Sequence, residues 1–438
     1  MHMLSAPRLL VIADVGGQET RHIGDEAMLE ANLDALRRLI PDVSFTIVSR
    51  DPAWTATRYG VDAVAPFGFP GDVAAVAERS ALLERLVNSA TASEITYTAG
   101  SVTSNAMARA DALVVSGGGN LSSTWPDLLY ERVALLQLAR IFGKPAVVLG
   151  QTLGPVLSPD ERRLLAETLP SARIVGLREL PSAALARDLN VPADRIWHQC
   201  DDALFPAGNP DLGIPVSKPR RPAAAPYIAV TLDPQVRTFG PELFNSVVAQ
   251  LRDISEKLGA SIILIPHAFG NESRGIPSDL TEAFILADRL GLSQSAVAAG
   301  LDANQVRQLT AEAVMVISSR YHPIVFGLAA GVPSLGIYGD EYCRIKLEGA
   351  LAHAGLEQWT LTYDQVAQGS LLPDALKLWQ TRREVRNVIE SRREAWREES
   401  RQRWRAVIRA LDPATTFPLA KANRYGEAPA PEKLIIDS

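Results

Sequence analysis

The chain has 438 residues, of which 47% are hydrophobic and 21% charged, and its net charge is −6. That length holds two or three domains, each able to bury its own core, and the acidic balance argues against a large nucleic-acid footprint. Its two cysteines, Cys200 and Cys343, are too few for a disulfide framework and fit a reducing compartment. No apolar run reaches membrane length, so the expectation is a cytoplasmic protein with at most a peripheral relation to a membrane.

Short apolar runs alternate with helical patterns from the start. "RLLVIAD", "VSFTIVS", "ALVVSGGG", "PAVVLGQ" and "ARIVGLRE" are short Val/Ile/Leu-rich runs that stop at Gly, Ser, Asp or Gln, as strands covered on both faces do. Between them "DEAMLEANLDALRRLI" and "PDLLYERVALLQLARIFG" carry helical periodicity, the second stopping at Gly143. Residues 210–226 hold five prolines and no periodicity, which predicts a linker. The alternation then resumes with "YIAVTLD", a helix around 241–258, "SIILIPH", a helix around 279–290, "AVMVISSR", a helix from Pro323 and "PSLGIY". The pattern predicts an α/β protein of two doubly wound, Rossmann-like domains, 1–209 and 227–373, with a deep cleft between them. Residues 374–411 are rich in Arg and Glu, with Val385, Ile389, Trp396, Trp404, Ile408 and Leu411 at helical spacing. They read as one or two amphipathic helices docked back on the protein, followed by a loosely ordered tail at 412–438.

Ligands of such sheets sit at the carboxyl ends of strands, so polar residues there are the candidates. "VGGQETRHIGDEAML" carries Arg21, His22, Gly24, Asp25 and Glu26. Asp25 as a helix cap with Glu26 in the first turn is the ordinary alternative to a ligand role. "VVSGGGNLSS" offers Gly117, Gly118 and Gly119 with Asn120, a loop able to cradle an anion or sugar hydroxyls. It lacks the Lys-Ser/Thr of a P-loop and the dinucleotide glycine pattern. Gln151 follows a strand directly, as a polar turn or a sugar contact. Arg178 also follows one, either in surface pairs or as a two-pronged anion ligand. In "VISSRYHPIVFG", Ser318 and Ser319 are natural caps and Pro323 suits a first helical turn, which puts Arg320 and His322 at a helix N-terminus, where anions are favoured. The same dipole disfavours protonation of His322. Lys346 adds a third positive group just past the next strand, and His267, after "SIILIPH", faces the same cleft. No H-x-x-H, H-E-x-x-H or C-x-x-C spacing supports a metal site.

"GDEAML", "SGGGNLSS", "GQTLGP", "LRELPSAALARDL", "DDALF" and "SSRYHPIVFGLAAGVPSLGIYGDEYCRIK" follow one another over about residues 10–350, and together they resemble the polysaccharide pyruvyl transferase family. The resemblance implies a fold like the two-domain GT-B architecture. It also implies transfer of pyruvate from phosphoenolpyruvate onto two hydroxyls of a sugar, as a cyclic ketal with loss of phosphate. Phosphoenolpyruvate is then a co-substrate, no cofactor is expected, and the acceptor is a glycan or lipid-linked saccharide of cell-wall or surface polysaccharide. On this view His322 is the general acid/base, and Arg178, Arg320, Tyr321, Lys346 and Ser319 hold the donor. Asp25, Gly118, Asn120, Gln151 and His267 face the acceptor. The first loop departs from the family, having "RHIGDEAML" where many members carry Asn near the glycine. Two other readings use the same residues: a GT-B glycosyltransferase with a nucleotide sugar, for which Glu341 is the nearest ribose-clamp candidate, and a non-catalytic sugar or anion binder.

Overall fold

The computed structural model describes residues 7–17, 20–91, 102–205, 225–270 and 278–414. The strands run β1 Arg8–Ile12, β2 Ser44–Val48, β3 Asp62–Val64, β4 Ala112–Val115, β5 Gly118–Leu121, β6 Ala146–Leu153, β7 Ile174–Leu177 and β8 Ile196–His198 in the first half. In the second half they are β9 Tyr227–Thr231, β10 Ser261–Leu264, β11 Met315–Ser318, β12 Ser334–Tyr338 and β13 Thr360–Thr362. They form two sheets, ordered β3-β2-β1-β4-β6-β7-β8, with β5 beside β6, and β10-β9-β11-β12-β13. Every pairing between them is parallel. The central strands β4, β6, β7, β9 and β11 are buried throughout, which is why they read as unbroken apolar runs. Both sheets reverse direction of winding, at β1/β4 and at β9/β11, and the chain leaving each of those strands is where an open α/β sheet presents a ligand.

The helices expected around 241–258 and 279–290 are Pro241–Leu258 and Asp279–Leu290. Three local expectations need correction. The first helix spans Ile23–Leu39 with His22 as its cap residue, so Asp25 lies inside the first turn and is not the cap. The helix after β11 spans Tyr321–Ala330, and its cap is Arg320 without a side-chain cap bond. Ser318 instead closes a local turn, its Oγ accepting from the Arg320 N–H at 2.9 Å. The triple-glycine stretch is not an open loop: Gly118 and Gly119 belong to β5, paired with β6. The short strands β3, β8 and β13 carry too few apolar residues to stand out in the sequence.

The charged C-terminal stretch forms one helix of 30 residues, Arg382–Leu411, preceded by Leu371–Gln380. Val385, Ile389 and Trp396 join the core around the second sheet, while Trp404, Val407, Ala410 and Leu411 join the core against the first. Ile408 packs only partly buried, and Val407 takes the inner position. Ile23, Ala27 and Met28 of the first helix enter the second sheet's core, so the two halves share one apolar seam below the cleft. Most of the expected linker and tail, 206–224 and 415–438, lies outside the described residues. Among those described, no helix is long and apolar enough to cross a membrane.

Candidate active site

A cleft of about 640 Å³ runs between the two sheets. Its second-half wall carries Asp233 beyond β9, Ser319, Arg320, Tyr321 and His322 beyond β11, and Asp340, Tyr342 and Lys346 beyond β12. Its first-half wall carries Asp14 beyond β1, His22, Gly24 and Asp25 at the first helix, Gly119 and Asn120 of β5, Trp125 and Asp127, and Arg178 beyond β7. Three helices, Ile23–Leu39, Tyr321–Ala330 and Glu341–Ala352, begin at this cleft, so their positive poles converge there.

Of the residues expected at the site, His322, Arg178, Arg320, Tyr321, Lys346, Ser319, Asp25, Asn120 and His267 line this one cleft. Gly118 and Gln151 do not. Gln151 lies inside β6, wholly buried, and donates to the Ser116 carbonyl at 2.5 Å, so it ties β6 to the turn between β4 and β5. A side chain on Gly118 would run into Asn120 at 2.4 Å, so that glycine makes room for Asn120, and Gly119 is the one at the cleft.

The cations differ in how far the protein has already neutralised them. Arg178 is 1% exposed and bonded through Nη1 to Asp201 at 2.7 Å and through Nε to Thr152 and Glu179. Its guanidinium lies 4.2 Å from the Tyr321 ring centre. Burial opposes its charge, but Tyr321, Asp201 and Glu179 raise its pKa further. Arg320 grips Asp279 with Nε and Nη2, and Asp279 also accepts from the His267 and Ala268 N–H groups. Lys346 has no carboxylate partner among the described residues; its Nζ reaches the Tyr342 hydroxyl at 3.4 Å and sits 5.5 Å from the Tyr321 ring centre. Tyr342 in turn donates across the cleft to the Gly119 carbonyl at 3.0 Å.

His322 stands between these charges. Burial first, then Arg178, Lys346, His267 and Arg307, push its pKa well below the usual range, so the ring is neutral. Its Nε2 lies 3.8 Å from Asp201, too far for a hydrogen bond, and finds no other partner. The opposite ring face is pressed against Gly24, where an added Cβ would fall 1.7 Å from Nδ1. His267 is also buried and neutral, its pKa lowered by burial and then Arg320 to about 3, with neither ring nitrogen bonded.

The first-half wall holds a second titrating group that the sequence reading did not assemble. His22 Nδ1 bonds Asp14 at 2.9 Å and lies 3.7 Å from Asp25. Burial opposes the charge on His22, but Asp14 and then Asp25 raise its pKa to about 9. Burial also works against Asp14, and the His22 imidazolium overcomes it and holds the carboxyl well below the usual range. Asp25 is raised to about 6 by burial and then by Asp14, against the pull of His22, Arg178 and Lys346. Asp14, His22 and Asp25 are the one group among the described residues close enough to face a single cation, their ligand atoms lying within 4.8 Å. The protein already supplies that positive charge through protonated His22 and through Arg50, 3.8 Å from Asp14, so we assign no metal there. Asp14 lies just past the first strand and His22 in the same connection to the first helix, so the strand-end rule reaches both. Trp125, 39% exposed in the cleft, gave no motif, yet its ring is a flat surface for the apolar face of a sugar.

The fold has counterparts among solved structures. Solved structures that this chain resembles include a Staphylococcus aureus MnaA–UDP complex (TM-score 0.57, 11% identity, covering 94% of this chain and 99% of that one). They also include the UDP-GlcNAc 2-epimerase of Neisseria meningitidis bound to UDP-GlcNAc (TM-score 0.52, 12% identity, 89% and 100%). A third is the UDP-GlcNAc 2-epimerase of Methanocaldococcus jannaschii (TM-score 0.52, 11% identity, 85% and 92%). At such identities the likeness concerns the fold alone, which is of the GT-B type with two Rossmann-like domains. No curated protein matches the chain in sequence. A family model for polysaccharide pyruvyl transferase matches residues 22–341, which takes in both walls of the cleft from His22 to Glu341, and the chain belongs to that family.

Proposed function

We propose that the protein transfers pyruvate from phosphoenolpyruvate to two hydroxyls of a sugar in a surface-polysaccharide or glycolipid precursor, forming a cyclic ketal. Family membership supports a transferase with a saccharide acceptor. The observation that carries the donor assignment is the meeting in one cleft of Arg320, Lys346 and converging helix N-termini with an imidazole that burial keeps neutral. A small dianion suits such a pole. In the reaction both acceptor oxygens bond to C2 of the donor, C3 gains a proton to become methyl, and the phosphate ester bond breaks. Two hydroxyl protons are released: one balances the new C–H bond, and the other leaves with phosphate. His322, kept neutral by burial among cations, can accept a hydroxyl proton and deliver it. Asp25, poised between its charged and neutral forms, faces the same space from the other wall. Arg178, whose charge is met by Asp201 and Glu179, acts in this reading by fixing Tyr321 and the floor under His322. The reaction needs no cofactor beyond its co-substrate, and a phosphoenolpyruvate donor implies a cytoplasmic site.

Thermal-shift titration with phosphoenolpyruvate, and separately with UDP, GDP and their sugars, tests the donor. Phosphoenolpyruvate is expected to raise the melting temperature. Arg320→Ala should weaken that binding at least tenfold, while His322→Ala should bind within a few-fold and release no phosphate. A shift with a nucleotide alone would transfer the bet to a nucleotide-sugar glycosyltransferase.

A further inference from the structure

Beside the cleft lies a second cavity of about 210 Å³. The two share Asp14, Arg50, Asp127 and Leu128 in their walls, so the side cavity opens from the cleft at that point. It sits beyond β1 and β2, against the helix Pro126–Ile141. Inside it, away from the cleft, is Arg132, 1% exposed. Its guanidinium donates from Nη1 to the Leu128 carbonyl of its own helix at 3.0 Å. Nε and Nη2, the two parallel donors of one edge, have no partner. No carboxylate pairs with Arg132 among the described residues.

Arg50 marks the junction of the two cavities. It stands 3.6 Å from Asp127 and 3.8 Å from Asp14, with no hydrogen bond from its side chain among the described residues. Three carboxylates line the same cavity, and of these Asp127 faces Arg50 while the other two are engaged elsewhere. Asp14 is bonded by His22, and Glu131 accepts from the N–H groups of Phe67, Gly68 and Phe69 at 2.9, 2.7 and 3.3 Å. Two under-bonded guanidiniums thus border one cavity. Burying an arginine with an edge unmet costs stability, and a fold that keeps one there retains it where a ligand completes it. The free edge of Arg132 has the spacing of a carboxylate's or a phosphate's oxygens.

We propose that this side cavity is a subsite for an oxyanion group, carboxylate or phosphate, with Arg132 receiving two of its oxygens and Arg50 closing on it from the cleft. That the group belongs to the acceptor, as an acidic sugar or a phosphorylated carrier, rests on the function proposed above; the anion site itself does not.

The test is thermal-shift and calorimetric titration with inorganic phosphate, glucuronate and glucose. It uses the wild-type protein, Arg132→Leu, Arg50→Met and, to remove the donor pole, Arg320→Ala. Phosphate or glucuronate should bind where glucose does not, and that binding should persist in Arg320→Ala. It should weaken at least tenfold in both Arg132→Leu and Arg50→Met. Arg132→Leu without ligand should melt at or above the wild-type temperature, as expected on removal of an unpaired buried charge. Binding of glucuronate alone would mark an acidic sugar as the source, and of phosphate alone a phosphorylated carrier. Full anion binding in Arg50→Met, loss only in Arg320→Ala, or no anion binding in the wild type each overturns the proposal. These outcomes are independent of whether phosphoenolpyruvate binds, so the two readings fail separately.

Discussion

At the scale of single residues, the cleft works by shifting where its ionisable groups titrate. His322 is neutral because it is buried among cations, and Asp25 is raised to about 6 because it is buried beside another carboxylate. A carboxyl whose pKa is higher in the fold than in the unfolded chain favours folding fully only below its ordinary value near 3.8, and that contribution is lost as pH rises through about 6. Asp25→Asn should therefore stabilise the protein at pH 7 by roughly 1–3 kcal/mol and leave it nearly unchanged at pH 4. Urea midpoints at the two values check this, and equal destabilisation at both would show that Asp25 is a structural hydrogen-bonding group. The cluster was only half legible beforehand. Asp25 and His322 lay in stretches that follow strands, but the pairing of His22 with Asp14 depends on the connection between β1 and the first helix bringing residues eight apart together, which spacing does not reveal.

At the scale of elements, the C-terminal helix does more than cover a surface. Arg403, buried on it, pairs with Asp202, whose side chain is also held by Asn32 and Gln199 at 3.1 Å each. Asp202 is the neighbour of Asp201, which holds Arg178, so the helix braces the floor of the cleft from behind. Gly150 lies against this carboxylate too, with φ of 46° and room for no Cβ, since one would fall 2.5 Å from Asp202 Oδ2. Removing one partner of a buried ion pair strands the other, so Arg403→Ala should cost about 3–5 kcal/mol, measured by urea unfolding. A cost under 1 kcal/mol would mean that Asn32 and Gln199 satisfy Asp202 alone. The helix itself was readable from its apolar spacing. The burial of an arginine on it was not, because Arg403 looks like any other residue of a charged face.

At the scale of the whole molecule, the two halves are joined at the site itself. The Ile23 N–H donates to the His267 carbonyl and the Phe269 N–H to the Arg21 carbonyl, both at 2.9 Å, so the first helix is tied to the second half at the cleft edge. Gly24 then touches the His322 ring. If the proposed transfer is the reaction, Gly24→Ala should displace that ring or spread the walls, lowering phosphate release from phosphoenolpyruvate at least a hundredfold while the protein stays folded. Unchanged turnover would show that the cleft opens during the reaction. What the sequence by itself determined is the alternation of strands and helices, the two-fold repetition of a doubly wound unit, and the strand-end positions of Arg178, Arg320 and His322. Those follow from local periodicity and from the chemistry of helix starts, which neighbouring residues along the chain carry. Only the tertiary structure decided which cations remain free, where the carboxylates of the cleft titrate, and that Gln151 is a strut within a strand. Those depend on burial and on partners far away in the chain, and electrostatic free energy is set by distance in space.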